Sequence, residues 1–461
     1  MTLIKSISGI RGTIGGKPGE GLSPLDLVRF TSAYATWLKE TCKKENPIVI
    51  LGRDARISGK MVSGIVSGTL NGMGIDVINL DFATTPTVEI AVTELNADGG
   101  IILTASHNPK QWNALKLLNS KGEFISAQQG EYILLLAEKD EFVFANIDEI
   151  GKETKIENYE DKHIELILNL PLVKTELIKE AKFKIAIDCV NSVGGIAIPK
   201  LLKKLGVNEV IELYCEPNGI FPHNPEPLPE HLTEISELVK KTGANLGFVV
   251  DPDVDRLAII NEDGSMFGEE YTLVAVSDFV LSKTCGNTVS NLSSSRALAD
   301  ITTKYGCIYS SSAVGEVNVV EKMKETNAII GGEGNGGIIY PELHYGRDAL
   351  VGIALFLTHL AEQKCKCSEL RKQYPEYYIS KNKIELTPSI NIDKIFEKLI
   401  EHFSNEKITT IDGVKIDFKE GWVHLRKSNT EPIIRIYSES KTIKEAENLA
   451  NEVKTIIEQY K

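Results

Sequence analysis

Leu246-Gly247-Phe248-Val249-Val250-Asp251-Pro252-Asp253-Val254-Asp255-Arg256-Leu257-Ala258-Ile259-Ile260 is the stretch on which the reading turns. An apolar run leads without interruption into three carboxylates at alternate positions, and a second apolar run follows. A short, continuous apolar run ending in a turn reads as a strand buried on both faces, as in a parallel sheet. Three like charges wedged between two such runs would repel without a counter-ion. Carboxylates converging in a tight loop suit one hard divalent cation, Mg²⁺ in preference to Ca²⁺. An EF-hand is excluded: Glu262 falls at loop position twelve, but position six is Arg256 instead of glycine, and both flanks read as strands. A solvated acidic turn is the competing reading, and the apolar flanks weigh against it.

Outward from this stretch the chain alternates short apolar runs with longer amphipathic ones. Upstream, Ile48–Leu51, Asp76–Leu80 and Ile101–Thr104 read as strands, with a helix over Lys60–Asn71 between the first two. The pattern restarts at the strand Phe183–Asp188, followed by a helix opening at Asn191–Gly195 and ending near Gly206. A third block is expected to begin with Leu257–Ile260 and to include helices at Tyr271–Ser282 and Leu350–Glu362. Strand–helix alternation is the signature of a parallel α/β sheet. The C-terminal segment mixes strands with helices at Asp393–Ser404 and Ile443–Glu458, an α+β pattern. The expected architecture is α/β: three similar mixed α/β domains plus a smaller C-terminal α+β domain. The expected spans are residues 1–152, 153–256, 257–374 and 375–461.

A chain of 461 residues is too long for one core, and its apolar and charged fractions, 42% and 25%, are those of a globular protein. The net charge of −13 argues against a broad nucleic-acid surface, which needs clustered cations. No long apolar run suggests a membrane span, and Met1–Ser6 does not read as a signal peptide. The seven cysteines are scattered; Cys365 and Cys367, the one close pair, lack zinc-site spacing, so free thiols in a reducing cytoplasm are expected.

Three further segments carry chemistry. Thr104-Ala105-Ser106-His107-Asn108-Pro109 follows a strand, where catalytic groups of α/β sheets collect. Ser106 could be a nucleophile or a phosphoryl carrier. The segment could equally be a helix cap with Pro109 at the first helical position. Gly332-Glu333-Gly334-Asn335-Gly336-Gly337 contains the dinucleotide spacing, but Ile338-Ile339-Tyr340-Pro341 after it is a strand and a break, which contradicts that use. It reads either as a loop offering Glu333 and Asn335 to vicinal hydroxyls or as a glycine-rich hairpin. Arg426-Lys427-Ser428-Asn429-Thr430-Glu431-Pro432, with Arg435, reads as a phosphate nest or a basic hairpin. Weaker relatives occur at Gly9–Gly12 and at Gly52-Arg53-Asp54-Ala55-Arg56.

In this order, the four segments resemble the α-D-phosphohexomutase superfamily over nearly the whole chain, which implies that the four domains surround a central cleft. The resemblance implies a phosphorylated Ser106, with one Mg²⁺ held by Asp251, Asp253, Asp255 and the Ser106 phosphate. It implies transfer of that phosphoryl group to a sugar phosphate, a 1,6-bisphosphate intermediate that also serves as activator, and return of the other phosphate to Ser106. Glu333 and Asn335 would hold sugar hydroxyls; Arg426, Ser428, Asn429, Thr430 and Arg435 would clamp the non-reacting phosphate. His107 and Lys116 are the implied proton-transfer candidates, with Arg11, Arg53 and Arg256 around the transferring group. Three departures stand out: Pro252 and Val254 between the aspartates where many members have glycine, Ala114 after Asn113, and Asn335 and Gly337 where bacterial members often have Ser and His. Gly332–Gly337 followed by Tyr345-Gly346-Arg347-Asp348 is most similar to the archaeal-type phosphoglucosamine mutase branch, with a phosphomannomutase/phosphoglucomutase as runner-up. A sugar-phosphate phosphatase and a non-catalytic sensor are the alternatives from other classes. The expected partner is a small sugar phosphate, and the expected state is a cytoplasmic monomer or homodimer.

Overall fold

The structure, a computed structural model, describes residues 2–6, 9–385, 392–427 and 433–458. The chain divides into two compact units, one of residues 1–272 and 336–370, the other of 273–335 and 371–461.

The first unit opens with a seven-stranded mixed sheet. Its strands are β1 (Leu3–Ser6), β2 (Gly9–Thr13), β3 (Ile48–Arg53), β4 (Asp76–Phe82), β5 (Gly99–Leu103), β6 (Trp112–Leu118) and β7 (Glu153–Lys155), in the order β1-β2-β6-β5-β3-β4-β7. β3 pairs in parallel with β4 and β5, whereas β6 runs antiparallel to β5 and β2. The sheet is covered on both faces, so β3 and β5 are apolar along their length. Phe30, Tyr34 and Leu38 of the helix Pro24–Cys42, with Val62, Val66 and Leu70 of the helix Gly59–Gly72, fill one core. Val88, Ala91 and Val92 of the helix Thr85–Glu94 fill the other. Ser23 starts the first of these helices with a reciprocal capping box to Asp26.

A second sheet in the same unit contains β8 (Lys184–Asp188), β9 (Glu209–Leu213), β10 (Leu246–Val250) and β11 (Leu257–Asn261), in the order β11-β10-β8-β9. Here one strand assignment is corrected. Leu257–Ile260 does not start the third block: β11 pairs antiparallel with β10, Val250 opposite Leu257, so the acidic segment is the turn of a hairpin. Strand–helix alternation in sequence does not distinguish a hairpin return from a new sheet when the turn is this long. The helix Ala349–Gln363 is buried on all sides, from Leu350 through Leu357, and Asp348 caps its start by accepting from Leu350 N (2.8 Å) and Val351 N (3.3 Å).

The second unit holds β12 (Asn287–Asn291), β13 (Tyr309–Ser312) and β14 (Ala328–Glu333), parallel, with β12 between the other two. The chain re-enters the first unit at Gly336, leading into β15 (Gly337–Ile339). The C-terminal sheet contains β16 (Tyr378–Glu385), β17 (Lys407–Thr409), β18 (Val414–Asp417), β19 (Trp422–Lys427) and β20 (Ile433–Ser440), ordered β16-β20-β19-β18-β17 and antiparallel throughout. Its core packs Val423, Leu425, Ile434 and Ile436 against Leu399 and Val453. The expected free thiols need one correction: Cys285 and Cys307 form a disulfide, with Cα atoms 6.2 Å apart. Both residues enter the adjacent parallel strands β12 and β13, whose pairing brings their approaches together.

Candidate active site

Ser106 sits just beyond β5 with φ 47, a left-handed conformation that turns the chain sharply at the strand end. The alternative reading of this segment as a helix cap is not met, because the loop runs on into β6. A buried scaffold holds the turn. The Arg56 guanidinium, fully enclosed, donates to the carbonyl oxygens of Ser106, Asn108 (2.7 Å), Pro109 (2.8 Å) and Trp112 (3.1 Å). Its Nε donates to Asp54 Oδ2 (2.9 Å). Asp54 also accepts from Thr104 Oγ1 (2.6 Å), which in turn accepts the Ser106 N–H (3.0 Å).

The acidic hairpin turn meets this loop. Ser106 Oγ donates to Asp251 Oδ2 at 2.7 Å, and His107 Nδ1 lies 3.4 Å from the same hydroxyl. Asp251, Asp253 and Asp255 are all fully buried, and one oxygen from each lies within 4.8 Å of the other two. Among the described residues this is the one such carboxylate, cysteine or histidine cluster. Asp253 Oδ1 and Asp255 Oδ1 are enclosed and accept no hydrogen bond. Buried carboxylate oxygens without a partner are expensive, and a divalent cation with oxygen preference fits that donor set. Val254, at the apex, has φ 63; a β-branched residue there stores about 1–3 kcal/mol of strain. Ala349 N, donating to Val254 O (3.2 Å), and Val254 N, donating to Asp251 O (3.1 Å), hold it there.

Cations ring the cluster. Lys116 Nζ, on β6, donates to Asp253 Oδ2 (2.7 Å) and Asp255 Oδ2 (3.3 Å). Arg347 Nη2 donates to Asp255 Oδ2 (2.7 Å), and Thr85 Oγ1 to Asp253 Oδ2 (2.6 Å). Burial would raise the Asp253 carboxyl, but Lys116 and Thr85 outweigh it and hold it below the usual range. Asp251 moves the other way: burial, then the neighbouring Asp255 and Asp253 charges, push it well up. Burial would lower Lys116, yet Asp253 and Asp255 raise it. Burial and then the Arg256 charge push His107 well below its ordinary value, with Arg11 and Arg347 adding to the effect.

Arg256 lies 4.0 Å from Asp255 and 3.5 Å from Glu226. Arg53 is turned instead to Asp81, at 2.6 Å, and stacks over the Phe82 ring. Arg56, Asp54, Thr85 and Arg347 carry no role in the sequence reading. Gly52–Arg56 is visible there as a motif, whereas Thr85 and Arg347 meet the aspartates only through long-range folding.

In the second unit, Glu333 ends β14, where its Oε1 accepts from Asn291 Nδ2 (2.9 Å) and Gly315 N (3.2 Å). Asn335 follows at the end of the same loop, half-buried. Arg426 and Arg435 are directly opposite on β19 and β20, and Lys383 stands opposite Arg435 on β16. Three cationic side chains therefore stand in one cross-strand row. Ser428, Asn429 and Thr430 lie outside the described residues.

A serine hydroxyl on a buried cluster of three carboxylates that could hold a cation, beyond the carboxyl end of a parallel strand, fits a phosphoryl-transferring α/β enzyme. The chain belongs to the phosphoglucomutase/phosphomannomutase family and is a phosphohexomutase: it matches the family's α/β/α domain I over residues 3–144, domain II over 161–264, domain III over 268–378 and C-terminal domain over 382–456. It is 36% identical to a phosphoglucomutase/phosphomannomutase of Thermococcus kodakarensis over 441 residues, 94% of this chain and 95% of the relative. It is 34% identical to a phosphoglucosamine/phosphogalactosamine mutase of Sulfurisphaera tokodaii, covering 98% of each. A crystal structure of a Burkholderia thailandensis phosphoglucomutase/phosphomannomutase family protein superposes with a TM-score of 0.86 at 25% identity, covering 99% of this chain and 97% of the other. No helix among the described residues is long and apolar enough to cross a membrane.

Proposed function

We propose that the protein interconverts glucosamine 6-phosphate and glucosamine 1-phosphate through phosphorylated Ser106 and a 1,6-bisphosphate. The observation that carries the mechanism is the 2.7 Å bond from Ser106 Oγ to Asp251 beside the unpartnered oxygens of Asp253 and Asp255. Asp251, Asp253 and Asp255 would hold Mg²⁺, which supplies charge neutralisation to the transferring phosphoryl group when bound.

In the first transfer the P–O bond to Ser106 Oγ breaks as a new one forms to the sugar hydroxyl. The hydroxyl proton passes to the protein; His107 and Lys116 are the candidates for proton transfer, with His107, kept neutral by burial and Arg256, as acceptor and Lys116, held protonated by Asp253 and Asp255, as donor. Arg11 and Arg256 face the same charge, and Arg53 is one strand further out. The intermediate turns over and returns its other phosphate to Ser106, so no phosphate is released. Glu333 and Asn335 hold ring hydroxyls. Arg426, Arg435 and the Ser428–Thr430 loop hold the non-reacting phosphate, with Lys383 extending the cationic row.

The glucosamine assignment is supported by the Sulfurisphaera relative and by Gly332–Gly337 with Tyr345–Asp348. The Thermococcus relative favours a second reading, a phosphoglucomutase/phosphomannomutase. The deciding experiment is kcat/KM for glucosamine, glucose, mannose and N-acetylglucosamine phosphates, each with its 1,6-bisphosphate. Glucosamine phosphate should lead; glucose or mannose phosphate leading would establish the second reading. Inorganic phosphate appearing faster than isomer would refute both.

A further inference from the structure

The second unit buries a set of ionisable side chains that phosphoryl transfer does not use. Lys415 on β18, 7% exposed, donates from Nζ to the Leu292 carbonyl at 2.8 Å and lies 4.4 Å from the Trp422 ring centre. Glu439 on β20, wholly enclosed, accepts the Arg296 N–H at 3.0 Å and the Trp422 indole N–H at 2.8 Å. His424 on β19 donates from Nε2 to the Asp412 carbonyl (2.7 Å), so its Nδ1 accepts from Ser293 Oγ (2.9 Å).

These contacts converge on one short segment, Asn291–Arg296, between β12 and the helix Ala297–Lys304. The same segment holds the end of β14: Asn291 Nδ2 donates to Glu333 Oε1 at 2.9 Å, and Ser294 Oγ accepts the Gly334 N–H at 3.0 Å. On β19, His424 and Arg426 are two residues apart and share a face of the sheet. Glu439 and Arg435 lie opposite Trp422 and Arg426 on that same face. One sheet face therefore grips the segment at one end and presents the Arg426–Arg435 pair at the other. Buried polar groups tolerate few arrangements, so a hydrogen-bonded network of this kind restricts relative placement where an apolar contact would allow sliding.

We infer that Asn291–Arg296 is a ruler that fixes the distance from the Glu333 carboxylate to the Arg426–Arg435 pair and thereby selects hexose over pentose phosphates. Lys415, His424 and Glu439 are positioning residues in it. The inference rests on the sugar-holding role proposed for Glu333 and the phosphate-holding role proposed for the two arginines.

The test compares KM for hexose 6-phosphate with Ki for a pentose 5-phosphate. Lys415→Met raises hexose KM about tenfold, leaves kcat within about threefold and leaves the pentose Ki unchanged, so the ratio of the two falls about tenfold. Lys415→Arg keeps the wild-type ratio. A residue serving stability alone would lower the melting temperature without moving that ratio. Should Lys415→Met not fold, His424→Phe carries the same expectation. A folded variant of either kind with the wild-type ratio overturns the ruler. Glu333→Gln separates the two levels: if it leaves hexose KM unchanged, the sugar-binding reading fails; if it alone raises KM, only the ruler fails.

Discussion

Replacing Arg56 by lysine keeps the positive charge beside Asp54 and removes the fork that holds the serine loop. The guanidinium makes five hydrogen bonds, one to Asp54 and four to the carbonyls of Ser106, Asn108, Pro109 and Trp112. An ammonium has three donors, so at least two of these acceptors lose their partner. An unsatisfied acceptor costs about 1–3 kcal/mol when fully buried, and those of Asn108, Pro109 and Trp112 are only part-buried, so the loss is at most about 2–6 kcal/mol. Arg56→Met adds the penalty of an uncompensated buried Asp54, about 3–5 kcal/mol more. Because the lost bonds define the position of the Ser106 backbone, kcat should fall about 100-fold even where the variant is fully folded. Calorimetry paired with steady-state kinetics below the unfolding transition reads both effects. An Arg56→Lys protein with wild-type melting temperature and kcat would refute the reasoning.

Removing divalent cations with a chelator should abolish turnover, and Mg²⁺ should restore it. Mg²⁺ at about 100 times its Kd should also stabilise the wild type by about 2.7 kcal/mol, an increment that Asp253→Asn loses; an equal increment in both would count against the site. Burial would lower His344, but its contacts with Asp348 (3.4 Å) and Glu89 (3.3 Å) outweigh this and push it up to about 10. Its folded value lies above the unfolded 6.5, so the stability it contributes is complete below pH 6.5 and is lost as pH rises towards 10. Thermal unfolding across that range should show the decline in the wild type and a flatter profile in His344→Asn; parallel profiles would exclude it. The Cys285–Cys307 bridge closes a loop of sequence separation 22, for which chain entropy predicts about 3 kcal/mol. A reductant or Cys285→Ser should lower the melting temperature accordingly, and no shift with either would argue against the bridge in solution.

Features local in sequence are legible before folding. Asp251–Asp255 announces itself because three carboxylates between two apolar runs call for a counter-ion, and Ser106 because it follows a strand directly. What folding adds is hidden. Thr85 reaches Asp253 across 168 residues and Arg347 reaches Asp255 across 92, and nothing in either residue's neighbours signals the partner. Arg56 lies in a visible motif, but that it grips four carbonyls depends on the path of the serine loop. Arg53 suggests itself by its place in that motif, yet its side chain is drawn to Asp81. The β10–β11 hairpin escapes the sequence because apolar runs alone do not report strand direction. The cysteine pair escapes it because register between β12 and β13 is a property of the sheet.

Incubation with a hexose 1,6-bisphosphate, followed by intact-mass measurement and peptide mapping, tests the central claim most directly. The protein should gain one phosphoryl group, mapped to Ser106, and Ser106→Ala should gain none and be inactive. Stoichiometric phosphorylation elsewhere, or undiminished isomerisation by Ser106→Ala, would contradict it.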